Sequence, residues 1–580
     1  MKEDLNNKTR RAYDVEINER SALNQKFESI DDVLPFVGNF GRYQWYLLLA
    51  LFPYSIVYAN LYFSTFFLTL VPQEYWCSIP ELQDHNLTME QRVAATTVSS
   101  NKYPYYERCY RKDLNFHELL QHNKNFHSDE WKANATIKCD KWEYNLTQVP
   151  YRSISSELDW VCDKEYLISS SQAIFFCGSI FGAFIFGWIA DHKGRVPALV
   201  LCSAVACLGT IATAWSTSFW SFAACRFITG FAFDNCINIP LIVVVEYMAV
   251  NRRTLVFNIA FGIHFALGST ILPWVAYYIA DWRHLAYIVA TPMLINLFTP
   301  WILPESARWY ASTDQWDKVV ENLKHIAKVN KKNPDPRIYE TFLRNAQRNV
   351  HSESATLLDL FKTPRLARTT ILLIIFWTLT IICFDGHVYS LKLLQSSVFV
   401  SFSLASSTEL PAGILVTLIL DRWGRRFCGF LTLGAIGICS FTELYSPSTE
   451  AKLASSVLAR FSGNMAANIG LQYAAELLPT PVRAQGVALV HLFGIFAHAI
   501  APYIIDLANV WEDLPMILLG TSAFITATLV LFLPETQGRS LPQTLQQGED
   551  FGKDSNFWSF PCCKKSNLNF HDDNENYTIE

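Results

Sequence analysis

Long apolar runs separated by short charged turns make up most of this chain. A helix needs roughly 20 apolar residues to cross ~30 Å of hydrocarbon, and a soluble core would interrupt such runs with polar faces. Runs of this kind lie near residues 45–71, 167–190, 196–215, 218–247, 255–279, 284–302, 370–392, 397–420, 428–444, 452–475, 484–505 and 514–533. The pattern predicts an all-α polytopic membrane protein with twelve transmembrane helices in two halves of six.

Four polar stretches lie outside these runs. They are residues 1–44, the loop 72–166, the linker 304–369 and residues 535–580, which leaves halves at 45–303 and 370–534. No apolar region follows Met1, so we expect an uncleaved first helix rather than a signal peptide.

The linker contains a segment with helical periodicity that opens near Trp316. Its apolar residues are Val319, Val320, Leu323, Ile326 and Ala327. We expect this helix to pack beneath the bundle; the alternative is a helix lying on the lipid surface.

The loop 72–166 has the features of an oxidising, glycosylated compartment. It carries four cysteines, Cys77, Cys109, Cys139 and Cys162, and three sequons, at Asn86, Asn134 and Asn145. Two disulfides are expected, with three connectivities open. The short loops on the other side carry the basic residues, as the positive-inside rule requires for cytoplasmic loops. We therefore expect a multi-pass protein of the plasma membrane with both termini in the cytoplasm.

A charged turn repeats at a fixed distance along the chain. Asp191, Gly194 and Arg195 recur as Asp421, Gly424 and Arg425, and 421 − 191 = 230. The same offset relates Glu246 and Arg253 to Glu476 and Arg483, and Pro304-Glu305 to Pro534-Glu535. Such a repeat indicates two copies of one membrane module.

The repeated charges predict a gate. We expect them to cap helix ends and to pair across the gap between the halves when the cytoplasmic side is closed. Topology alone would explain the arginines, but it would not explain their acidic partners or the common offset.

Composition supports a membrane protein. Of 580 residues, 51% are hydrophobic and 17% charged, and the net charge is −5, which suggests no nucleic-acid partner. The sequence lacks phosphate-binding and hydrolase motifs. We expect no enzymatic activity, cofactor or metal, and the oligomeric state stays open.

The charged repeat resembles the signature of the major facilitator superfamily. Within it, the chain is similar to the organic cation, anion and carnitine transporters of solute carrier family 22 over about residues 27–550. The matching motifs are Phe40 to Gln44, Glu157 to Cys162, Pro304 to Trp309, Ala475 to Gly486 and Pro534 to Gly538. The resemblance implies alternating access by rocking of two halves around a central cavity.

Three carboxylates in the predicted helices are substrate candidates, because a charge in lipid is costly. They are Asp234, Asp385 and Glu409. Each has an alternative: Asp234 could pair with Arg226, Asp385 could be hydrated near the outer mouth, and Glu409 could serve conformational coupling.

Aromatic and polar residues complete the predicted cavity. Trp377 and Phe384 are seven residues apart and share a helix face, and both match cavity positions of the similar cation transporters. Their rings would attract organic cations, although packing is the usual role of membrane aromatics. Asn468 is a weaker polar candidate.

The position that usually carries a charge in helix eleven of this family is Ile495 here. His491 and His498 lie on either side of it. Either could face the cavity and change protonation near neutral pH, or be satisfied by a bond between helices.

The sequence thus favours a carrier of small organic cations or amines. The membrane potential, about 2.3 kcal/mol per 100 mV for one charge, could drive uptake, with proton coupling as an alternative. Rival functions are transport of zwitterions or anions such as carnitine or carboxylates, and ligand sensing without transport.

Overall fold

A computed structural model describes residues 29–553 except 39, 84, 86, 101–105, 123–130, 132–134, 148, 250–251, 254–255, 257–259, 347–355, 395 and 540. The described chain forms twelve membrane segments. Segments 1–6 make the N-terminal half: Arg42–Ala50 with Phe52–Leu68; Tyr166–Lys193; Arg195–Thr213; Phe219–Phe233 with Asn235–Glu246; Ala260–Phe265 with Ala266–Ile279; and Trp282–Asn296. Segments 7–12 make the C-terminal half: Pro364–Tyr389; Val398–Ser407 with Glu409–Trp423; Arg425–Tyr445; Thr449–Leu477; Arg483–Asp506; and Leu514–Val530.

Eight of these segments are long and apolar enough to span a membrane by length and composition. The other four segments are shorter or less apolar. Segment 10, for example, contains Arg460, and segment 12 has only 17 residues. Exposed aromatic residues lie near the segment ends, including Trp220, Tyr278 and Trp301. Aromatic side chains at such positions are typical of the membrane interface.

The two halves have the same internal arrangement. Segment 3 packs against segments 4 and 6, and segment 9 packs against segments 10 and 12. Between the halves, segment 2 packs against segment 11 and segment 5 against segment 8. These contacts are equivalent under the 230-residue offset, so the halves are related by a pseudo-twofold axis.

The ends of the segments define two sides of the molecule. The side with the loop between segments 1 and 2 is called the loop side, and the side with Gly194 and Gly424 the turn side. Segments 4, 6 and 10 begin on the loop side, where Ser218, Asp281 and Ser448 accept hydrogen bonds from backbone N–H groups three residues later. Such caps satisfy donors that a helix start leaves free.

The loop contains short strands, which the sequence analysis did not predict, and short helices. Strand β1 (Tyr75–Cys77) pairs antiparallel with β5 (Trp142–Tyr144), and β3 (Tyr106–Lys112) lies between β2 (Thr97–Ser99) and β4 (Thr136–Lys138). Its helices are Pro80–Gln83, Met89–Thr96, Phe116–His122, Ile154–Glu157 and Cys162–Lys164.

Two disulfides crosslink the loop. Cys77 bonds to Cys139 and Cys109 to Cys162, with Cα–Cα distances of 5.4 and 5.8 Å. The structure therefore selects one of the three connectivities that the sequence left open.

Asn145 does not fit its predicted role as a glycosylation site. The residue is buried, its Nδ2 donates to Glu74 at 2.6 Å, and its Oδ1 accepts from the Thr147 backbone at 3.0 Å. A glycan on Nδ2 would disturb this contact, so the folded loop disfavours glycosylation at Asn145, which stays a prediction. The sequons at Asn86 and Asn134 lie outside the described residues.

Glu157 ties the end of the loop to segment 6. It accepts hydrogen bonds from both terminal nitrogens of Arg283 at 2.6 and 2.7 Å, and from the Trp282 indole at 3.0 Å. The hydrogen bonds from Arg283 are the main reason that the pKa of Glu157 lies below its usual value.

The turn side carries further short helices, and one predicted boundary, the start of segment 7, differs from the structure. They are Ile30–Val37, Thr299–Ile302, Ala307–Ser312, Trp316–Val329, Pro336–Ala346, Leu357–Phe361 and Leu545–Asp550. The five apolar residues of Trp316–Val329 are buried, in a cluster shared with Ile30–Val37 and the N-terminal half. Leu357–Phe361 packs instead with segment 7, which begins at Pro364 rather than near 370.

Candidate functional site

The charged turn after segment 2 is organised by a glutamate that lies far along the chain. Gly194 has φ +108°, and a Cβ there would lie 2.6 Å from the Glu305 carboxylate. Glu305 accepts from the backbone N–H groups of Arg195 at 2.8 Å and Val196 at 3.1 Å. A carboxylate at a helix N-terminus stabilises the helix dipole, so Glu305 caps segment 3.

The second copy of the turn repeats this geometry. Gly424 has φ +84°, and Glu535 accepts from the backbone N–H groups of Arg425 at 2.9 Å and Arg426 at 3.0 Å. The 230-residue repeat is therefore a repeat of contacts. The sequence showed both glutamates but gave no role to either.

The arginines of both turns bind acids within their own half. Arg195 pairs with Asp191 at 2.8 Å, and Arg425 pairs with Asp421 at 3.0 Å and with Glu476 at 2.9 Å. Both arginines are thus paired with acids of their own half.

The remaining predicted gate residues also bind within a half or its adjoining helices. Glu246 accepts from Ser306, Arg253 pairs with Asp31, and Arg483 donates to the Leu478 carbonyl at 3.0 Å. Each cluster is thus completed locally in this conformation. The predicted pairing across the gap concerns the conformation closed on the turn side, so it stays a prediction.

The hydrogen bonds that we find between the halves lie in the middle of the bundle or towards the loop side. On the loop side, Gln73 donates to the Lys392 carbonyl at 3.0 Å and Asn509 to Glu165 at 3.1 Å. Tyr503 donates to Ser170 at 3.0 Å. The conformation is therefore closed on the loop side.

Beneath this closure, Asp385 lies in a sealed polar cluster. Tyr62 of segment 1 donates its hydroxyl to Asp385 of segment 7, and the His498 Nδ1 of segment 11 lies 2.5 Å from the other carboxylate oxygen. Asp385 has no exposed surface. It was predicted as a possible hydrated or substrate-binding group; in this conformation it is buried and bound to Tyr62 and His498. Tyr62 was not predicted.

Aromatic rings from the N-terminal half enclose this cluster. Phe176 stacks on the His498 ring with centroids 5.0 Å apart, and Phe233 stacks on both Tyr62 and Tyr58. His498 bonds to other helices, through Asp385 and Tyr62, which is the second of its two predicted alternatives.

Asp234 and His491 form a second link between the halves. The His491 Nε2 of segment 11 lies 2.9 Å from the Asp234 Oδ1 of segment 4. Arg226, the partner suggested from sequence, bonds instead to Thr213 at 2.6 Å and Thr229 at 3.4 Å. The suggested Asp234–Arg226 pair does not form, because the Arg226 side chain binds the end of segment 3 and a residue of its own segment 4.

Glu409 is paired within the C-terminal half. Arg460 of segment 10 donates to Glu409 at 2.8 Å and to the Phe384 carbonyl at 2.9 Å, and its guanidinium lies 3.5 Å from the Phe384 ring centroid. The ring predicted to attract a cationic substrate is thus already covered by a cation. Arg460 was missed, although an arginine inside an apolar run is the same signal that identified the carboxylates.

The last three residues predicted to contact the substrate, Trp377, Ile495 and Asn468, have other partners in this conformation. Trp377 fits against Gly470 and Gly494, where a Cβ would approach its ring within 2.8 and 2.3 Å. Ile495 is buried at 2% exposure, and Asn468 donates to the Asn464 carbonyl of its own helix at 2.8 Å. These three residues do not meet the carboxylates directly in this conformation.

We call the part of the bundle that holds Asp234, Asp385, Glu409 and their partners the central region. Its charges do not balance when the imidazoles of His491 and His498 are neutral. Three carboxylates, Asp234, Asp385 and Glu409, face one guanidinium, Arg460, so 3 − 1 leaves an excess of two negative charges. Buried acids need partners, and here the partners that can be removed are the two imidazoles. The arrangement can therefore receive a cation.

A cavity of about 140 Å³ opens above this region on the loop side. Phe66, Tyr75, Arg108, Glu165 and Lys392 are among its lining residues. Its lining also includes Gln73 and Asn509, so the cavity lies among the loop-side contacts described above.

Comparison with known proteins identifies the architecture. The family model described as Major Facilitator Superfamily matches residues 164–502. "Organic cation transporter 1" of Caenorhabditis elegans is 30% identical over 540 residues, covering 90% of this chain and 89% of that protein. "Carcinine transporter" of Drosophila melanogaster is 29% identical over 549 residues, covering 92% and 81%.

Among solved structures, the inward open conformation of the xylose transporter XylE from E. coli covers 87% of this chain and 98% of its own. The TM-score is 0.54 and the identity 14%, so the likeness concerns the fold alone. These matches confirm the predicted twelve-helix fold.

Proposed function

Because the chain belongs to the major facilitator superfamily, we propose that it carries small organic cations or amines across a membrane by alternating access. The two halves would rock about the central region, exposing it first on one side and then on the other. The names of the relatives point to a transporter rather than an enzyme, and include an organic cation transporter and a carcinine transporter.

The observation that carries the preference for cations is the excess of acid at the boundary between the halves. Asp234 and Asp385 both lie on that boundary. Among the described residues, Asp234 binds His491 and Asn238, and Asp385 binds His498 and Tyr62, so neither is held by an arginine or a lysine. Arg460, which could attract an anion, is already bound to Glu409. An organic cation can replace an imidazole at a carboxylate, whereas an anion would add to the existing repulsion.

We also propose an orientation and a location. The disulfide-bonded loop favours the cell exterior, and the arginine-rich turns favour the cytoplasm. The carrier would therefore lie in the plasma membrane with both termini inside, and the conformation closed on the loop side would face the cytoplasm.

The test is uptake of labelled compounds by cells that express the full chain. Tetraethylammonium, 1-methyl-4-phenylpyridinium and tyramine supply cations, and carnitine and benzoate supply a zwitterion and an anion. We expect cation uptake, and we expect Asp234→Asn to lower it at least about tenfold, since a lost charge contact of this size costs roughly 1.4 kcal/mol or more. Asp281→Asn, at the loop-side cap of segment 6, is the matched control.

Two outcomes would overturn the proposal. Uptake of carnitine or benzoate without any cation would indicate a carrier of zwitterions or anions. Binding of a cation to the purified protein without flux would indicate a sensor.

A further inference from the structure

The Asp234–His491 pair is the contact between the halves that is most open to solvent among the central charged groups. The His491 side chain is 31% exposed, whereas the side chains of His498 and Asp385 are 10% and 1% exposed. His491 also lies eight residues after Arg483, about 12 Å along segment 11 from the turn side. Water and protons can thus reach His491 from the side that is not closed.

A protonated imidazole is itself a small organic cation, and the His491 Nε2 lies 2.9 Å from the Asp234 Oδ1. We propose that a proton on His491 and the transported cation compete for Asp234, so that the protein exchanges one proton for one organic cation. This inference rests on the proposed function and adds a coupling ion to it.

The exchange balances in charge and atoms. When the cation binds Asp234, the N–H···O contact to His491 breaks and His491 releases its proton to the same side of the membrane. On the other side the cation leaves, and His491 takes up a proton and binds Asp234 again. The Asp234–His491 site is neutral in both crossings, so the exchange moves no net charge.

Among the described residues, several polar and charged groups surround the Asp234–His491 pair, and any of them could compete with the proton or the substrate. On segment 4, Asn238 hydrogen-bonds to Asp234. From segment 1, Tyr58 lies within electrostatic range of Asp234, Asp385 and Glu409. On segments 7 and 11, Asp385 and His498 bind one another, and His498 also lies within range of Asp234.

On segment 10, Arg460 is held by Glu409, so it does not compete for Asp234. Among the described charged groups of the central region, His491 is thus the cation placed to leave Asp234 when a substrate arrives.

The test uses the purified full chain in liposomes. Potassium with valinomycin clamps the membrane potential at zero, and a one-unit pH gradient, acid inside, is imposed. The probes are labelled tetraethylammonium and 1-methyl-4-phenylpyridinium, whose charge does not depend on pH. One-for-one exchange predicts about tenfold accumulation of the transported probe, because one pH unit is a tenfold ratio of protons.

His491→Gln tests the residue. Glutamine cannot carry the proton, so we expect the variant to lose accumulation driven by pH while still equilibrating the probe with an imposed membrane potential. His284→Gln, on an exposed histidine at the loop side, is the control and should behave as the wild type. A trapped pH dye should report loss of the internal acid when the probe enters wild-type liposomes.

The outcomes separate the two proposals. Uptake by the wild type that follows the potential and ignores the pH gradient would overturn the exchange and leave cation transport standing. Absence of uptake of every probe under either gradient would overturn the proposed function itself. If His491→Gln does not fold, the wild-type measurements decide the question alone.

Discussion

Tyr62 and Asp385 join the two halves through a single hydrogen bond, with the tyrosine hydroxyl as donor. Both residues are buried, and the bond lies below the contacts that close the loop side. Opening that side must separate segments 1 and 7, so this bond has to break in each cycle. We therefore interpret Asp385 as a group that holds the loop side closed.

Tyr62→Phe should favour the conformation open on the loop side. A hydrogen bond to a charged group contributes about 1.5–3 kcal/mol, which corresponds to roughly a tenfold to hundredfold change in the ratio of the two conformations. A cysteine at Thr69, which lines the loop-side cavity, should react correspondingly faster with an impermeant maleimide. The exposed Cys177 is replaced by serine in this background.

Tyr54→Phe is the matched control for this experiment. Tyr54 lies on the same segment and shares a 2.8 Å hydrogen bond with Thr299, which belongs to its own half. Equal labelling rates in the two tyrosine variants would show that the Tyr62–Asp385 bond does not hold the loop side closed.

Arg460→Gln should destabilise the C-terminal half through its effect on Glu409. Removing one partner of a buried ion pair costs about 3–5 kcal/mol, because the other charge stays buried. The double variant Arg460→Gln, Glu409→Gln should therefore be more stable than Arg460→Gln alone. Thermal unfolding of the purified proteins measures both effects, and additive losses in the double variant would argue against this coupling. Arg283→Gln, from an exposed pair, should cost less than about 1 kcal/mol.

Glu305→Gln and Glu535→Gln should lower stability by similar amounts. Each carboxylate accepts two backbone N–H groups at a helix start, and an amide would turn its NH₂ towards one of them. A buried donor left unpaired costs about 1–3 kcal/mol. Unfolding midpoints compare the two variants with Asp191→Asn, whose side chain is 68% exposed. Clearly unequal losses would mean that the two caps are not energetically equivalent.

Asn145→Gln should leave the glycosylation pattern unchanged. The Asn145 amide is committed to Glu74 inside the loop, so the sequon offers no free acceptor nitrogen. The mobility shift after N-glycosidase treatment is the readout, and it is independent of expression level. Loss of one glycan in the Asn145→Gln variant would contradict the loop structure.

Glu157 predicts a specific pH dependence of stability. Its lowered pKa means that the contribution of the Arg283 contact is fully present above the ordinary value for glutamate, about pH 4.3. It is lost as the pH falls through the lowered value. The advantage of the wild type over Glu157→Gln in unfolding midpoint should therefore be present at neutral pH and vanish in acid. An advantage that grows in acid would have the wrong sign.

The fold could be predicted because its signals are local. Apolar runs of membrane length specify helices without reference to distant contacts, and the buried face of Trp316–Val329 followed from spacing alone. The strands of the loop were missed because β1 and β5 are three residues each and pair across more than sixty positions of sequence. No local pattern marks such a pairing.

The site was only partly predictable, since its partners come from different segments. Asp234, Asp385 and Glu409 were identified by the cost of burying charge, but their partners were not. His491 and His498 were flagged only by their position around Ile495. Tyr62 gives no signal at all, because a tyrosine in an apolar helix looks like packing until Asp385 is placed beside it.

The helices between the halves mark where this protein can be divided. Trp316–Val329 and Pro336–Ala346 bury their apolar faces with the N-terminal half, whereas Leu357–Phe361 does so with the C-terminal half. Each half also contains its own capping glutamate, at Glu305 and Glu535. A chimera with a related carrier should therefore be joined between Ala346 and Thr356, so that each parent contributes its half complete with the helices that cover it.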